Sequence, residues 1–279
     1  MTLYHYTSID SLACILKNKT IRFTRLDLLD DLEENIQSSG VNIGHYAFAS
    51  CWTEDKEESI PLWKMYTENG LGVRLAIDSD MFMDYHNPET MTLSGIKLST
   101  KDSPLSITKT PLEDYINPDI MLLPITPSEM SNQIFKRVEY VDDVYERTRD
   151  CVKIVHGENN YSRVFIFHPH VGKYKNKRWA FQKEVRFVLL IIPGKQFSSL
   201  ENFPTEYEQW LFDVWTKNIP NKICHYDLRL KDELFNTMEI TLSPSMPVSK
   251  QIIVKALVNQ YAPKAKISPS KLDPSVRFK

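Results

Sequence analysis

The feature that most constrains the fold is residues 175–192, KNKRWAFQKEVRFVLLII. Its last third, from Phe187 to Ile192, is apolar on both faces and partly β-branched, which suits a strand buried in the middle of a sheet. If the whole stretch is extended, Phe181, Lys183, Val185 and Phe187 share one face, while Ala180, Gln182, Glu184, Arg186 and Val188 share the other. Glu184 and Arg186 therefore project together. A carboxylate and a guanidinium at the mouth of a buried strand are costly to desolvate, so they are paired or put to use. The plain reading is an ion pair closing the end of a core strand.

A chain of 279 residues can bury a sizeable core as one large unit, and we read residues 1–279 as a single domain with an irregular insertion around 80–135. Eight glycines against 16 prolines, with 11% aromatic residues, favour stiff loops and a sheet over a helical bundle. A formal charge of -2 gives no general pull toward nucleic acid, although the basic segments 173–178 and 264–279 offer local positive charge. The cysteines, Cys14, Cys51, Cys151 and Cys224, form no CxxC pair and read as single buried thiols of a reducing cytoplasm. The opening MTLYHYTSID lacks the pattern of a signal peptide, and no apolar run approaches about 20 residues, so neither secretion nor a membrane partner is expected.

In chain order, residues 3–7 read as a strand, and Ser8 or Asp10 caps a helix with Ile9, Leu12, Ala13, Ile15 and Leu16 on one face. Residues 20–24 form a second strand. The acidic 27–34 leaves the sheet as a loop or short helix, and 46–52 returns as a buried strand. Pro61 opens a helix over 59–68, with Trp63 and Tyr66 on one face, and 72–78 alternates as a strand. Further on, a short helix is expected at 80–86, a strand and turn at 96–104, and irregular chain at 102–131. A strand is expected at 138–141, a helix at 145–154, and an apolar run of either kind at 164–168. Helix is expected within 197–217, with Trp210, Phe212 and Trp215 packing in the core. A strand at 239–242, an amphipathic helix at 249–261 and a short strand at 265–267 follow. The pattern is α+β.

Several chemistries find no support. HExxH and HxxxH are absent, and the close pair His168 and His170 has no supporting carboxylate, so no metal is expected. Neither GxGxxG, GxxxxGK[ST] nor GxSxG occurs, and Cys51 has no neighbouring histidine to activate it. What remains is His5, Tyr6 and Thr7 on the first strand, Ser50 to Thr53 with Trp63 and Tyr66 in the aromatic middle, and Glu184 on the late strand.

These residues carry a resemblance. The opening LYHYTS, the WKMYTENG segment, the late VEYV, the KNKRWAFQKEVR stretch and the closing ISPSKL resemble, in order, a widespread bacterial family known as a domain of unknown function. Its pattern has two acidic residues where this chain has Gln182 and Glu184, which leaves one candidate carboxylate. That family in turn resembles the ADP-ribosyltransferases. The resemblance implies a split, mostly antiparallel sheet with helical and loop insertions, and NAD as the substrate. It implies that Glu184 is the catalytic carboxylate of a His-Tyr-Glu set, with His5 and Tyr66 as its partners. It also implies that His5, Tyr6, Thr7, Ser50, Trp52, Trp63 and Tyr66 contact NAD. Tyr66, Tyr6 and Trp63 all stay open as the aromatic against nicotinamide.

The residue types suit that chemistry. Cleaving nicotinamide from ribose develops positive charge on the sugar, which a carboxylate stabilises, and a flat ring needs an aromatic slot. The pyrophosphate needs a cation, for which Arg22, Arg25, Arg74 and Arg186 are candidates. The implied partner is a macromolecular acceptor, RNA, DNA or protein, and an antitoxin protein in a toxin-antitoxin or phage-defence setting. The alternatives are an NAD glycohydrolase and a non-enzymatic binding module.

Overall fold

The computed structural model describes residues 1–156, 162–197, 202–276 and 278. Ten strands form one mixed, mostly antiparallel sheet with helices on both faces. The first unit is β1 (Thr2–Thr7), α1 (Ile9–Asn18) and β2 (Thr20–Arg25). Ser8 caps α1 by accepting from the Ser11 amide, and Lys19 closes it in the left-handed conformation. Next come β3 (Ala47–Thr53), α2 (Ile60–Tyr66) and β4 (Val73–Asp78), with Pro61 in the first turn of α2. The rest of the sheet is β5 (Ile120–Leu122), β6 (Phe135–Arg137), β7 (Glu184–Pro193), β8 (His225–Arg229), β9 (Glu239–Leu242) and β10 (Lys266–Ser268). The helices α3 (Phe203–Thr216) and α4 (Val248–Tyr261) flank it.

The strand order is β5-β7-β3-β1-β4-β9-β10, with β6 also on β7 and β2 joining β8 to β3. Every ladder in this sheet is antiparallel except β9 with β10. As its composition demands, β7 is buried on both faces. Val185, Phe187, Leu189 and Ile191 enter a core with Leu12 and Leu16 of α1, while Val188 and Ile192 enter a second with Val214 and Trp215 of α3. On one edge of β3 the sheet parts. There β1 pairs at Thr53 alone and β2 pairs only at Ala49 and Phe48, so the edge of Ser50, Cys51 and Trp52 faces a gap between the two.

Several expectations are corrected. Residues 175–183 do not extend the strand: Tyr174–Asn176 pairs in parallel with Glu139–Val141, and Lys177–Gln182 is a 3-10 turn capped by Asn176. Lys183 at φ 45 then reverses the chain into β7. Residues 80–86 are not helical, because Phe82 bridges Leu230 and Tyr85–His86 pairs with Ile107–Thr108. The helix expected over 145–154 stops after Val144–Thr148, and Val152–His156 pairs as a hairpin with Ser162–Ile166. The irregular 80–135 segment contributes β5, and β6 follows at its end, both covering β7. The amphipathic expectation for α4 fails: Val254 and Val258 are buried, but Val248, Ile252 and Ile253 are exposed. Cys14 and Cys224 are exposed rather than buried, while the helix expected within 197–217 is α3 and residues 198–201 lie outside the described residues. Among the described residues no helix is long and apolar enough to cross a membrane.

Candidate active site

The gap along β3 opens into a cavity of about 710 Å³, within the roughly 300–1,000 Å³ of small-molecule clefts. It draws His5, Tyr6 and Thr7 from β1, Ser50 and Trp52 from β3, Tyr66 from α2 and Glu184 from β7 into one lining. Tyr4 lies opposite Thr53, which lies opposite Glu184, so β1 and β7 are two strand spacings apart, about 10 Å. Alternation puts Glu184 on the face of Thr53 and Tyr4, and His5 on the other, where its ring meets Trp52 at 4.9 Å. The parting of β1 from β2 lets one cavity reach both.

His5 Nδ1 lies 2.9 Å from the Cys51 carbonyl oxygen, a side-chain bond where the β1–β3 ladder lapses. A carbonyl only accepts, so Nδ1 carries the proton and Nε2 is left as an acceptor. Burial lowers the His5 pKa more than this bond raises it, so the imidazole is neutral at pH 7. Burial first, and the Glu184 charge second, push the Cys51 thiol well up, which makes it a poor nucleophile.

Glu184 is held from behind. Its Oε1 accepts from Arg186 Nε at 2.8 Å and Nη2 at 2.6 Å, and its Oε2 accepts from Lys175 Nζ at 3.1 Å. Arg186 also grips Glu34, through Nη1 and through Nη2 at 3.3 Å, and Lys175 reaches Glu34 at 3.0 Å. Burial would raise the Glu34 pKa, but Arg186 and then Lys175 outweigh it and hold the carboxyl below its ordinary range. Burial would likewise lower the Lys175 pKa, and Glu184 and Glu34 reverse this to keep the ammonium charged. Glu34 comes from the 3-10 turn Leu32–Glu34 in the acidic segment, so neither its role nor that of Lys175 was foreseen.

At the mouth, Gln182 Nε2 donates to Tyr66 Oη at 2.7 Å, and Gln182 Oε1 has no partner among the described residues. Burial pushes the Tyr66 hydroxyl well above its usual range, so it stays protonated. Tyr66 is 36% exposed and lines the cavity. Tyr6 lines the cavity, accepts from the Ser59 amide at 2.9 Å, and packs edge-on against Trp63.

Three residues expected to contact NAD lie outside the cavity lining. Trp63 lies outside the lining, fully buried, its Nε1 donating to Glu58 at 3.0 Å, because the inward side of α2 faces the core while Tyr66 falls at its last turn. Arg25 also lies outside, spent on Asp27 at 2.6 Å and on the Asn221 and Ile223 carbonyls. Arg186, at 0% exposure, serves the two carboxylates and lies outside the lining. Of the other pyrophosphate candidates, Arg74 stacks on Tyr4 at 4.6 Å and donates to the Lys56 carbonyl, and Arg22 lines the cavity but makes a two-pronged pair with Asp227. The basic run 173–178 is likewise neutralised: Lys173 meets Glu139, Lys177 meets Asp142 and Arg178 meets Glu33.

Among the described residues no three His, Cys, Asp or Glu side chains converge as a metal site would require. His168 and His170 sit in a 3-10 turn away from the cavity lining. Compared with protein-family models, curated proteins and solved structures, the chain matches none.

Proposed function

We propose that the chain cleaves the nicotinamide–ribose bond of NAD and passes the ADP-ribosyl group to a macromolecular acceptor. The supporting observation is that His5 and Glu184, about 180 residues apart in sequence, line one cavity of ligand size. Glu184 Oε1 accepts twice from Arg186 and Oε2 accepts from Lys175, with the Cys51 thiol beside the carboxylate, so Oε2 is the oxygen proposed to take a ribose hydroxyl. As the C1′–N bond breaks, its electron pair leaves with neutral nicotinamide, and the ionised Glu184 stabilises the charge left on the sugar. Neutral His5 accepts a second ribose hydroxyl through Nε2, and the Tyr66 ring covers the nicotinamide. The acceptor nucleophile then bonds to C1′ and releases its proton to solvent.

One observation favours a second reading. The lining carboxylates are Asp10, Asp30, Glu68, Glu184 and Asp227, against the cations Arg22 and Lys175, both already paired. An acidic cavity suits the pyridinium of NAD but opposes its phosphates, which fits a binding module for a cationic ligand without phosphate. Incubation with NAD labelled in its adenylate half separates the readings. Nicotinamide release with label on RNA, DNA or protein supports transfer, and release with free ADP-ribose supports hydrolysis. A folded protein that releases nothing overturns the enzymatic reading in favour of the binding module.

A further inference from the structure

We infer that Glu34 and Lys175 are positioning residues that work on Glu184 as a balanced pair: what aims the Glu184 carboxylate into the cavity is the zero sum of four buried charges. The activity readout below rests on Glu184 being the catalytic carboxylate. The stability readout does not.

The geometry is a closed ring. Arg186 turns Nε and Nη2 to Glu184 and Nη1 and Nη2 to Glu34, and Lys175 closes the far side by bridging the same two carboxylates at 3.0 and 3.1 Å. Arg186 and Glu34 are 0% and 1% exposed, so water cannot replace a missing member. The groups facing Glu184 from elsewhere carry no charge to substitute. Cys51 on β3 and Tyr66 on α2 are both pushed toward their protonated forms by burial, and His5, on the other face of β1, is neutral. The Tyr140 hydroxyl, its pKa pushed up by burial, accepts from the Glu184 amide at 2.8 Å. Asp31, at the head of the Glu34 turn, is a further acid whose own pKa burial raises, and its Oδ2 has no partner among the described residues. An uncompensated cation or anion in this ring therefore has to be settled by the four members themselves or by Asp31, which interacts with Glu34 and Lys175.

The consequences differ by variant. Lys175→Met leaves two carboxylates on one guanidinium, and one of them must take up a proton at a pH where neither did before. Glu34→Gln leaves two cations on the one carboxylate of Glu184, with one positive charge in excess and one arm of Arg186 without an acid partner. Combining them restores a neutral Glu184–Arg186 pair. A merely structural role for either residue predicts that the losses add.

The test compares wild type, Lys175→Met, Glu34→Gln and the double variant by thermal unfolding and by the pH profile of nicotinamide release. Each single change is expected to lower Tm on the order of 10 °C. Lys175→Met is expected to move the acid limb of the profile up by about one unit. The double variant is expected to melt no lower than the better single and to return the acid limb to its wild-type position. Losses that sum in the double variant, or an acid limb that stays displaced, overturn the inference. If a single variant is too unstable to purify, a well-folded double variant supports the balance, and a double that also fails to fold contradicts it. If wild type releases no nicotinamide, the enzymatic reading fails, and the unfolding comparison decides the charge balance alone.

Discussion

Arg186 and Lys136 stand opposite one another in the β6–β7 ladder, two buried cations side by side, and the chain treats them differently. Arg186 has the carboxylates of Glu184 and Glu34. Lys136 is given the carbonyl oxygens of His168 and Val171. Carbonyl dipoles compensate a buried ammonium only in part. Burial, with the nearby Arg186 charge adding to it, pulls the Lys136 pKa down to about 7. Burial and then Lys136 pull His168 down to about 3. Of these two neighbours, only the one that backs the cavity carboxylate is neutralised by acids. Beside Lys136 the chain anchors the 168–170 turn, whereas around Arg186 it pairs two carboxylates, one of which, Glu184, lines the cavity.

The contrast breaks most visibly at Arg186. Arg186→Met leaves two buried carboxylates on the single ammonium of Lys175, and we expect a loss of about 3–5 kcal/mol by urea unfolding. A loss under about 1 kcal/mol would mean that the carboxylates find other partners. Next comes Lys136. Its folded pKa lies below its unfolded one, so the penalty is full below about pH 7 and fades as pH rises toward the unfolded value near 10.4. Wild type should therefore gain about 2 kcal/mol over Lys136→Met between pH 7 and pH 9, read from urea midpoints at the two pH values. Equal pH dependence in the two proteins would remove Lys136 from the comparison. The smallest effect sharpens it from outside: Lys177, 59% exposed beside Asp142, should cost no more than about 0.5 kcal/mol on replacement by alanine, although it is two residues from Lys175. A cost comparable to that of Lys175→Met would show that burial is not what separates the pairs.

Part of this was legible in the sequence. Alternation along the run up to Ile192 placed Glu184 and Arg186 on one face, and the plain ion-pair reading describes what Arg186 does. Ser8 before the apolar periodicity of α1 marked the cap that sets β1 against the cavity. Other parts carried no local signal. The Leu32–Glu34 turn has no periodicity, so nothing but the excess of acid in 27–34 hinted that one carboxylate is drawn inward to a distant guanidinium. Residues 177–182 alternate as a strand does, and the left-handed Lys183 that ends their 3-10 turn is set by tertiary contacts, among them Thr53 Oγ1 donating to the Lys183 carbonyl at 2.9 Å. Trp63 and Tyr66 are indistinguishable by spacing, and only the short length of α2 decides that one is core and the other rim.

The most direct measurement is nicotinamide release from NAD by wild type and by Glu184→Gln, with matched melting curves confirming that both are folded. The charge stabilisation assigned to Glu184 predicts release by wild type and a fall of roughly 10²–10³-fold in the variant. Equal release by the two proteins would contradict it, as would a folded wild type that leaves NAD intact.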